Sequence, residues 1–238
     1  MVFCPYIIGV LYKESWMKSE DMEYSISGEI AQQVRLDFTP NEFVWASGGS
    51  LMAYSSGIKW ELRVPGGLGG AVRRSFSGEG VSLNYLQTDQ AEQYALLAAN
   101  SPGHVTMWDL ADGPVLTTRG SFLAAWGEDV DITVVVAQRA GAAMFGGAGL
   151  FLQQISGQGT VLIHGSGDFY ERRLAANEQL LVSTGNLAAF AQSIDYDIQS
   201  VGGLRKMMFG GEGVFMTRLT GPGRVLLQTL KRNFSPTQ

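Results

Sequence analysis

Gly185-Asn186-Leu187-Ala188-Ala189-Phe190 is the third appearance of one phrase. It already stands at Gly49-Ser50-Leu51-Met52-Ala53-Tyr54 and at Gly120-Ser121-Phe122-Leu123-Ala124-Ala125-Trp126. Each reads glycine, small polar residue, apolar residue, alanine, aromatic. Further along comes a second mark: Phe76-Ser77-Gly78-Glu79-Gly80-Val81, Phe145-Gly146-Gly147-Ala148-Gly149-Leu150 and Phe209-Gly210-Gly211-Glu212-Gly213-Val214. A third follows: Ser101-Pro102-Gly103-His104-Val105, Gly157-Gln158-Gly159-Thr160-Val161 and Gly221-Pro222-Gly223-Arg224-Val225. Three marks in one order, three times, predict an internal triplication. The copies are expected at roughly 28–110, 111–165 and 166–232 of a single domain spanning 22–238. The first copy carries additional polar residues around Gln87–Gln93, expected as a loop or short helical turn.

Between the marks the chain reads as strand. Val130–Val136 is rich in β-branched residues, which suit a pleated half-buried surface. Val161-Leu162-Ile163 and Val225-Leu226-Leu227 are short apolar runs bounded by glycine, the pattern of buried strands. Phe215–Leu219, the turn Thr220-Gly221-Pro222-Gly223 and the run from Arg224 predict a hairpin. Glycine and proline interrupt every stretch before a helical period can establish itself. The fold class expected is all-β: three diverged repeats of an antiparallel β unit, forming a β-sandwich or double-stranded β-helix-like barrels.

With 238 residues, 45% of them hydrophobic and 16% charged, the chain can bury a substantial core. The low charge fits surface buried between subunits, or equally a sheet-rich monomer with a Ser/Thr/Gln exterior. Net charge is −5. The basic pairs Arg73-Arg74, Arg172-Arg173, Arg205-Lys206 and Lys231-Arg232 are small and read as solvated turns or strand ends, so no nucleic-acid partner is expected. The single cysteine, Cys4, rules out an intrachain disulfide framework and points to a reducing compartment, hence a cytoplasmic location. The apolar run Val2–Tyr12 is too short to span a bilayer and lacks the marks of a secretory signal. No transmembrane segment is expected, while peripheral membrane association stays open. Residues 1–21 read as a tail outside the fold, with Met22 an alternative start.

The paired glycines of the second marks look like phosphate loops, but such a loop must open a helix, and β-type residues follow here. They read as turns or bulges. His104 and His164, the only histidines, lack partners at metal-ligand spacing, so no metal or cofactor is expected. Ser166 sits in Gly165-Ser166-Gly167, in a loop and without a nucleophile elbow, and Cys4 is a poor nucleophile in a tail. The acidic pairs Glu128-Asp129-Asp131 and Asp195-Asp197 read as solvent-facing strand ends, with a weak cation site the sharper alternative. Tyr54, Trp126 and Phe190 share one repeat position and are expected as core plugs, while a ring stacking on a ligand is the rival. Trp45, Trp60 and Trp108 complete, with Trp126, the tryptophans of the first two copies. No catalytic, cofactor-binding or ligand-binding residue is assigned, and no enzyme is expected.

The run Gly210-Gly211-Glu212-Gly213-Val214-Phe215-Met216-Thr217-Arg218-Leu219-Thr220-Gly221-Pro222-Gly223-Arg224-Val225-Leu226-Leu227-Gln228-Thr229-Leu230 resembles the C-terminal signature of the altered inheritance of mitochondria protein 24 family. With the repeat marks, the resemblance covers roughly residues 22–232. It implies a β fold grouped with the tryptophan RNA-binding attenuation protein and the double-stranded β-helix class, with internal duplication. The family brings no defined catalytic residues. Its fungal member is associated with the mitochondrial inner membrane, a location that does not carry over, because no Arg/Ser-rich transit peptide is present. The resulting expectation is a non-enzymatic interaction or scaffold protein that forms a homo-oligomer or binds a protein partner. The alternative is a module for a small apolar or aromatic ligand.

Overall fold

The computed structural model describes residues 15–18, 22–65, 82–136, 151–200 and 215–232. Among them it contains strands and short 3-10 turns but no α-helix. Two strands, β1 (Ser15–Lys18) and β2 (Glu23–Ser27), precede three rounds of six. The first round is β3 (Gln33–Phe38), β4 (Phe43–Ala46), β5 (Leu51–Tyr54), β6 (Lys59–Arg63), β7 (Leu83–Gln87) and β8 (Gln93–Ala98). The second is β9 (Gly103–Asp109), β10 (Val115–Thr118), β11 (Phe122–Trp126), β12 (Asp131–Val136), β13 (Phe151–Ser156) and β14 (Thr160–Ser166). The third is β15 (Phe169–Leu174), β16 (Gln179–Ser183), β17 (Leu187–Ala191), β18 (Asp195–Ser200), β19 (Phe215–Thr220) and β20 (Gly223–Gln228).

The pairing repeats with the strands. In each round the sixth strand lies between the first and third: β8 between β3 and β5, β14 between β9 and β11, β20 between β15 and β17. The fifth lies between the second and fourth: β7 between β4 and β6, β13 between β10 and β12, β19 between β16 and β18. All these pairs are antiparallel. One round is thus two three-stranded sheets.

Neighbouring rounds merge their sheets. β4 pairs with β11 and β10 with β17, giving the six-stranded orders β6-β7-β4-β11-β14-β9 and β12-β13-β10-β17-β20-β15. The remaining sheets are β1-β2-β3-β8-β5 and β16-β19-β18, ending at β5 and at β16. None of these sheets closes on itself, so of the two architectures expected the sandwich forms and not the barrel.

The alternation of the strands supplies the core. Trp108, Phe190, Leu152, Ile155 and Ile163 gather in one cluster, and Tyr24, Leu36, Leu97 and Trp126 in a second, all with almost no exposed surface. The third strand of each round is bulged opposite its sixth, between Leu51 and Ala53, Phe122 and Ala124, and Leu187 and Ala189. In β11 and β17 every residue is buried. Ala124 and Ala189 stand opposite Ala46 and Thr117 of the preceding round.

Four expectations are corrected. First, strands set the copies at Gln33–Ala98, Gly103–Ser166 and Phe169–Gln228, so β9 opens the second copy instead of closing the first. Ser101-Pro102-Gly103 links two copies, whereas Gly157–Gly159 and Gly221–Gly223 join fifth to sixth strands. The Gln87–Gln93 stretch is the true counterpart of the latter turns and forms a loop. Gly103 serves a close crossing instead: a Cβ there would lie 2.0 Å from the Gly165 carbonyl oxygen. Second, β19 and β20 form no hairpin, because their turn carries the chain from one sheet into another. Third, Tyr54 and Phe190 share a position, opposite Ala95 and Val225, but Ala125 and not Trp126 is their counterpart, opposite Val161. The additional alanine moves Trp126 one residue along. Fourth, Tyr54 is no core plug: it is 45% exposed, because among the described residues no strand covers β5 as β4 covers β11. The second-mark glycines fall outside the described residues. Upstream of residue 22, Ser15–Lys18 extends its sheet by pairing with Glu23–Ile26.

Candidate functional site

The densest polar cluster lies where β9 and β14 run side by side and the chain after β20 passes over them. Pairing sets His164 opposite Val105, Gly165 opposite His104 and Ser166 opposite Gly103. Leu230 donates its N–H to the Ser166 carbonyl, and Ser166 N–H donates to Gln228 Oε1, both at 3.0 Å. Those bonds deliver Arg232 onto the cluster. Its Nε donates to Ser166 Oγ at 2.9 Å, and Nη2 donates to His164 Nδ1 at 2.7 Å and to the His164 carbonyl at 3.1 Å. Nη1 donates to Ser121 Oγ, and to the Arg119 carbonyl at 3.4 Å.

A guanidinium can only donate, so His164 Nδ1 accepts and the ring proton belongs on Nε2. His164 is buried, and its Nε2 has no hydrogen-bond partner of standard geometry. Burial is the main reason its pKa falls from 6.5 to about 4. The Arg232 charge adds to the fall and His104 adds less, while the Ser101 backbone opposes it. The ring is therefore neutral at pH 7. His104 is bonded differently. Its Nδ1 donates to the Gly167 carbonyl at 2.9 Å and lies 3.2 Å from the exposed Asp168 carboxylate.

Two histidines, a serine and an aspartate thus meet within one corner, without the relay that nucleophilic catalysis uses. Ser166 Oγ is bonded to Arg232 and lies 3.3 Å from Ser101 Oγ, and each histidine is committed elsewhere. The chemistry of the cluster is that of a clamp, with one guanidinium tying the end of the third copy to β14 and to the turn between β10 and β11 of the second. Beside it opens a pocket of about 460 Å³, between the first and second copies, with Ser50, Asn100, Arg119, Phe122 and Arg232 in its wall.

The other candidates are dispersed. Asp197 accepts from Arg218 at 2.9 Å, across the β18–β19 pair. Among the described residues no group of acidic, histidine or cysteine side chains is arranged to hold a metal. Trp108 donates to the Gly113 carbonyl under the Arg224 guanidinium, and Trp126 meets Tyr24 edge-on at 5.3 Å. Trp45 packs edge-on against Tyr85, and Trp60, 45% exposed, donates to Asn84. Cys4 lies outside the described residues. Arg232 is the residue that sequence reasoning missed: expected as a solvated strand end, it is half-buried and saturated with acceptors. No local signal marks it, since its partners lie 66 to 113 residues away in the chain.

Comparison with known proteins gives a consistent set of relatives. A curated protein of Streptococcus pyogenes serotype M6, Uncharacterized protein M6_Spy0233, is 29% identical over 227 residues, which is 92% of this chain and 90% of that one. The crystal structure of protein SPYM3_0169 from Streptococcus pyogenes superposes with a TM-score of 0.73 at 23% identity, over 88% of this chain and 94% of the other, and shares the fold. The family pattern described as Mitochondrial biogenesis AIM24 matches residues 24–230, nearly the whole of the three rounds and their leading strand. This chain belongs to the Mitochondrial biogenesis AIM24 family.

Proposed function

We propose that the chain is a non-enzymatic interaction or scaffold protein that self-associates. One observation carries this reading: large apolar side chains stand exposed on strands that end sheets, with Met52 and Tyr54 on β5 and Leu181 on β16. Exposed apolar groups collected on unpaired edges mark association surfaces. The clamp around Arg232 supports it from the other side, since the side chains with the most chemistry to offer are spent holding the fold together. The reading includes a reducing compartment, the cytoplasm, on the strength of a single cysteine. No helix among the described residues is long and apolar enough to cross a membrane.

Light scattering at micromolar concentration tests the reading. A mass above that of one chain is expected. A strict monomer that recovers no partner from its native host would overturn it.

The pocket beside Arg232 favours a second reading, a small-molecule binding module. Its wall mixes Phe122 and Leu83 with Arg119, so a flat apolar group bearing an acid would suit it better than a purely apolar ligand. A thermal-shift screen of amino acids and nucleotides separates the two. A bound ligand at a hundred times its Kd stabilises by about 2.7 kcal/mol, and a flat screen removes the second reading.

A further inference from the structure

The junction between copies is made twice, and its two halves are each left over once. In both junctions the second strand of one copy pairs with the third strand of the next: β4 with β11, and β10 with β17. The third strand of the first copy, β5, and the second strand of the third copy, β16, are the unmatched halves, and each ends its sheet. Among the described residues no pairing joins them. We infer that β5 of one chain pairs with β16 of a second copy, repeating the internal junction between molecules. This rests on the self-association proposed above and names its surface.

Register makes the inference specific. Ala53, Ala124 and Ala189 are equivalent, opposite Leu96, Leu162 and Leu226. Ala46, Thr117 and Val182 are equivalent, opposite Asn84, Gln153 and Thr217. The internal junctions set Ala124 against Ala46 and Ala189 against Thr117, then Ala125 against Trp45 and Phe190 against Leu116. The same rule sets Ala53 against Val182 and Tyr54 against Leu181. Tyr54 and Leu181 are 45% and 57% exposed, whereas Phe190 and Leu116 at the closed junction are buried. Directly opposed side chains in an antiparallel pair touch, so each would cover the other.

Edge chemistry agrees. Natural sheets blunt exposed edges with charge. The other strands that end sheets all carry charge: β6 has Lys59, Glu61 and Arg63, β15 has Glu171, Arg172 and Arg173, β18 has Asp195 and Asp197, and β1, β9 and β12 have Lys18, Asp109 and Asp131. Leu51-Met52-Ala53-Tyr54 and Gln179-Leu180-Leu181-Val182-Ser183 carry none. The two sheet-ending strands without a Lys, Arg, Asp or Glu are the two that the junction rule leaves open. The contact is heterologous, so it builds a ring or a filament.

The test uses the full chain. Tyr54→Lys and Leu181→Lys should each raise the dissociation constant of self-association by about a hundredfold, because an ammonium would sit in an apolar seam, with the circular-dichroism spectrum unchanged. In a Cys4→Ser background, chains carrying Tyr54→Cys mixed with chains carrying Leu181→Cys should oxidise to a disulfide-linked pair, while neither chain alone does so. This arm decides the matter if a lysine variant fails to fold. Association untouched by both lysines, with no mixed cross-link, overturns this surface and leaves self-association standing. A monomeric intrachain cross-link when both cysteines share one chain assigns the edge to the protein's own strand and overturns the second copy. A monomer throughout overturns both.

Discussion

His164 holds a neutral ring against a guanidinium, and that arrangement has a pH signature. In the unfolded chain the ring takes up a proton near pH 6.5, and in the fold only near 4. Between those values the unfolded state binds the extra proton, so stability is complete above about 6.5 and declines as pH falls towards 4. The two values differ by an amount worth roughly 3 kcal/mol at its limit. His164→Gln keeps an acceptor for Arg232 and removes the titration. The midpoint temperature of the wild type should fall relative to the variant across this window, as scanning calorimetry would record; parallel curves would contradict the assignment. The clamp was illegible in the sequence for a physical reason. Lys231-Arg232 carries no pattern of its own, and its acceptors come from two distant segments, Arg119–Ser121 and His164–Ser166, that only the folded sheets bring together.

At the scale of the strand, one repeat position lies in two environments. Ala189 is wholly buried against Thr117 of the neighbouring copy, while its equivalent Ala53 is exposed on an open edge. Ala189→Leu should cost about 1–3 kcal/mol through overpacking. Ala53→Leu should leave the unfolding free energy of the isolated chain within about 0.5 kcal/mol. Urea melts of the two variants at submicromolar concentration measure the difference, and equal losses would mean that β5 is covered. The strands themselves were legible, because β-branched and glycine-bounded runs declare them; Val130–Val136 yields β12 over Asp131–Val136. Which strands share a sheet was not. The turn at Gly221–Gly223 looks like a hairpin turn, and only the position of β16 and β17 decides that the chain crosses between sheets there. The single added alanine that moves Trp126 out of step is likewise invisible without its partner strand.

Across the whole molecule, the first mark proved the most informative, since in each copy it opens the third strand, the one that the preceding copy covers in the second and third copies. The third mark misled at Ser101-Pro102-Gly103, where a link between copies has the composition of an internal turn. The copies do not behave as beads on a string. Each six-stranded sheet is half one copy and half the next, and the two core clusters straddle those boundaries. The strand pairing at the junction does not itself set the number of units. A polypeptide shortened or lengthened by one whole copy would still expose one third strand at its start and one second strand at its finish. Gene-level copy number and the count of chains in an assembly are then interchangeable ways of setting the same span.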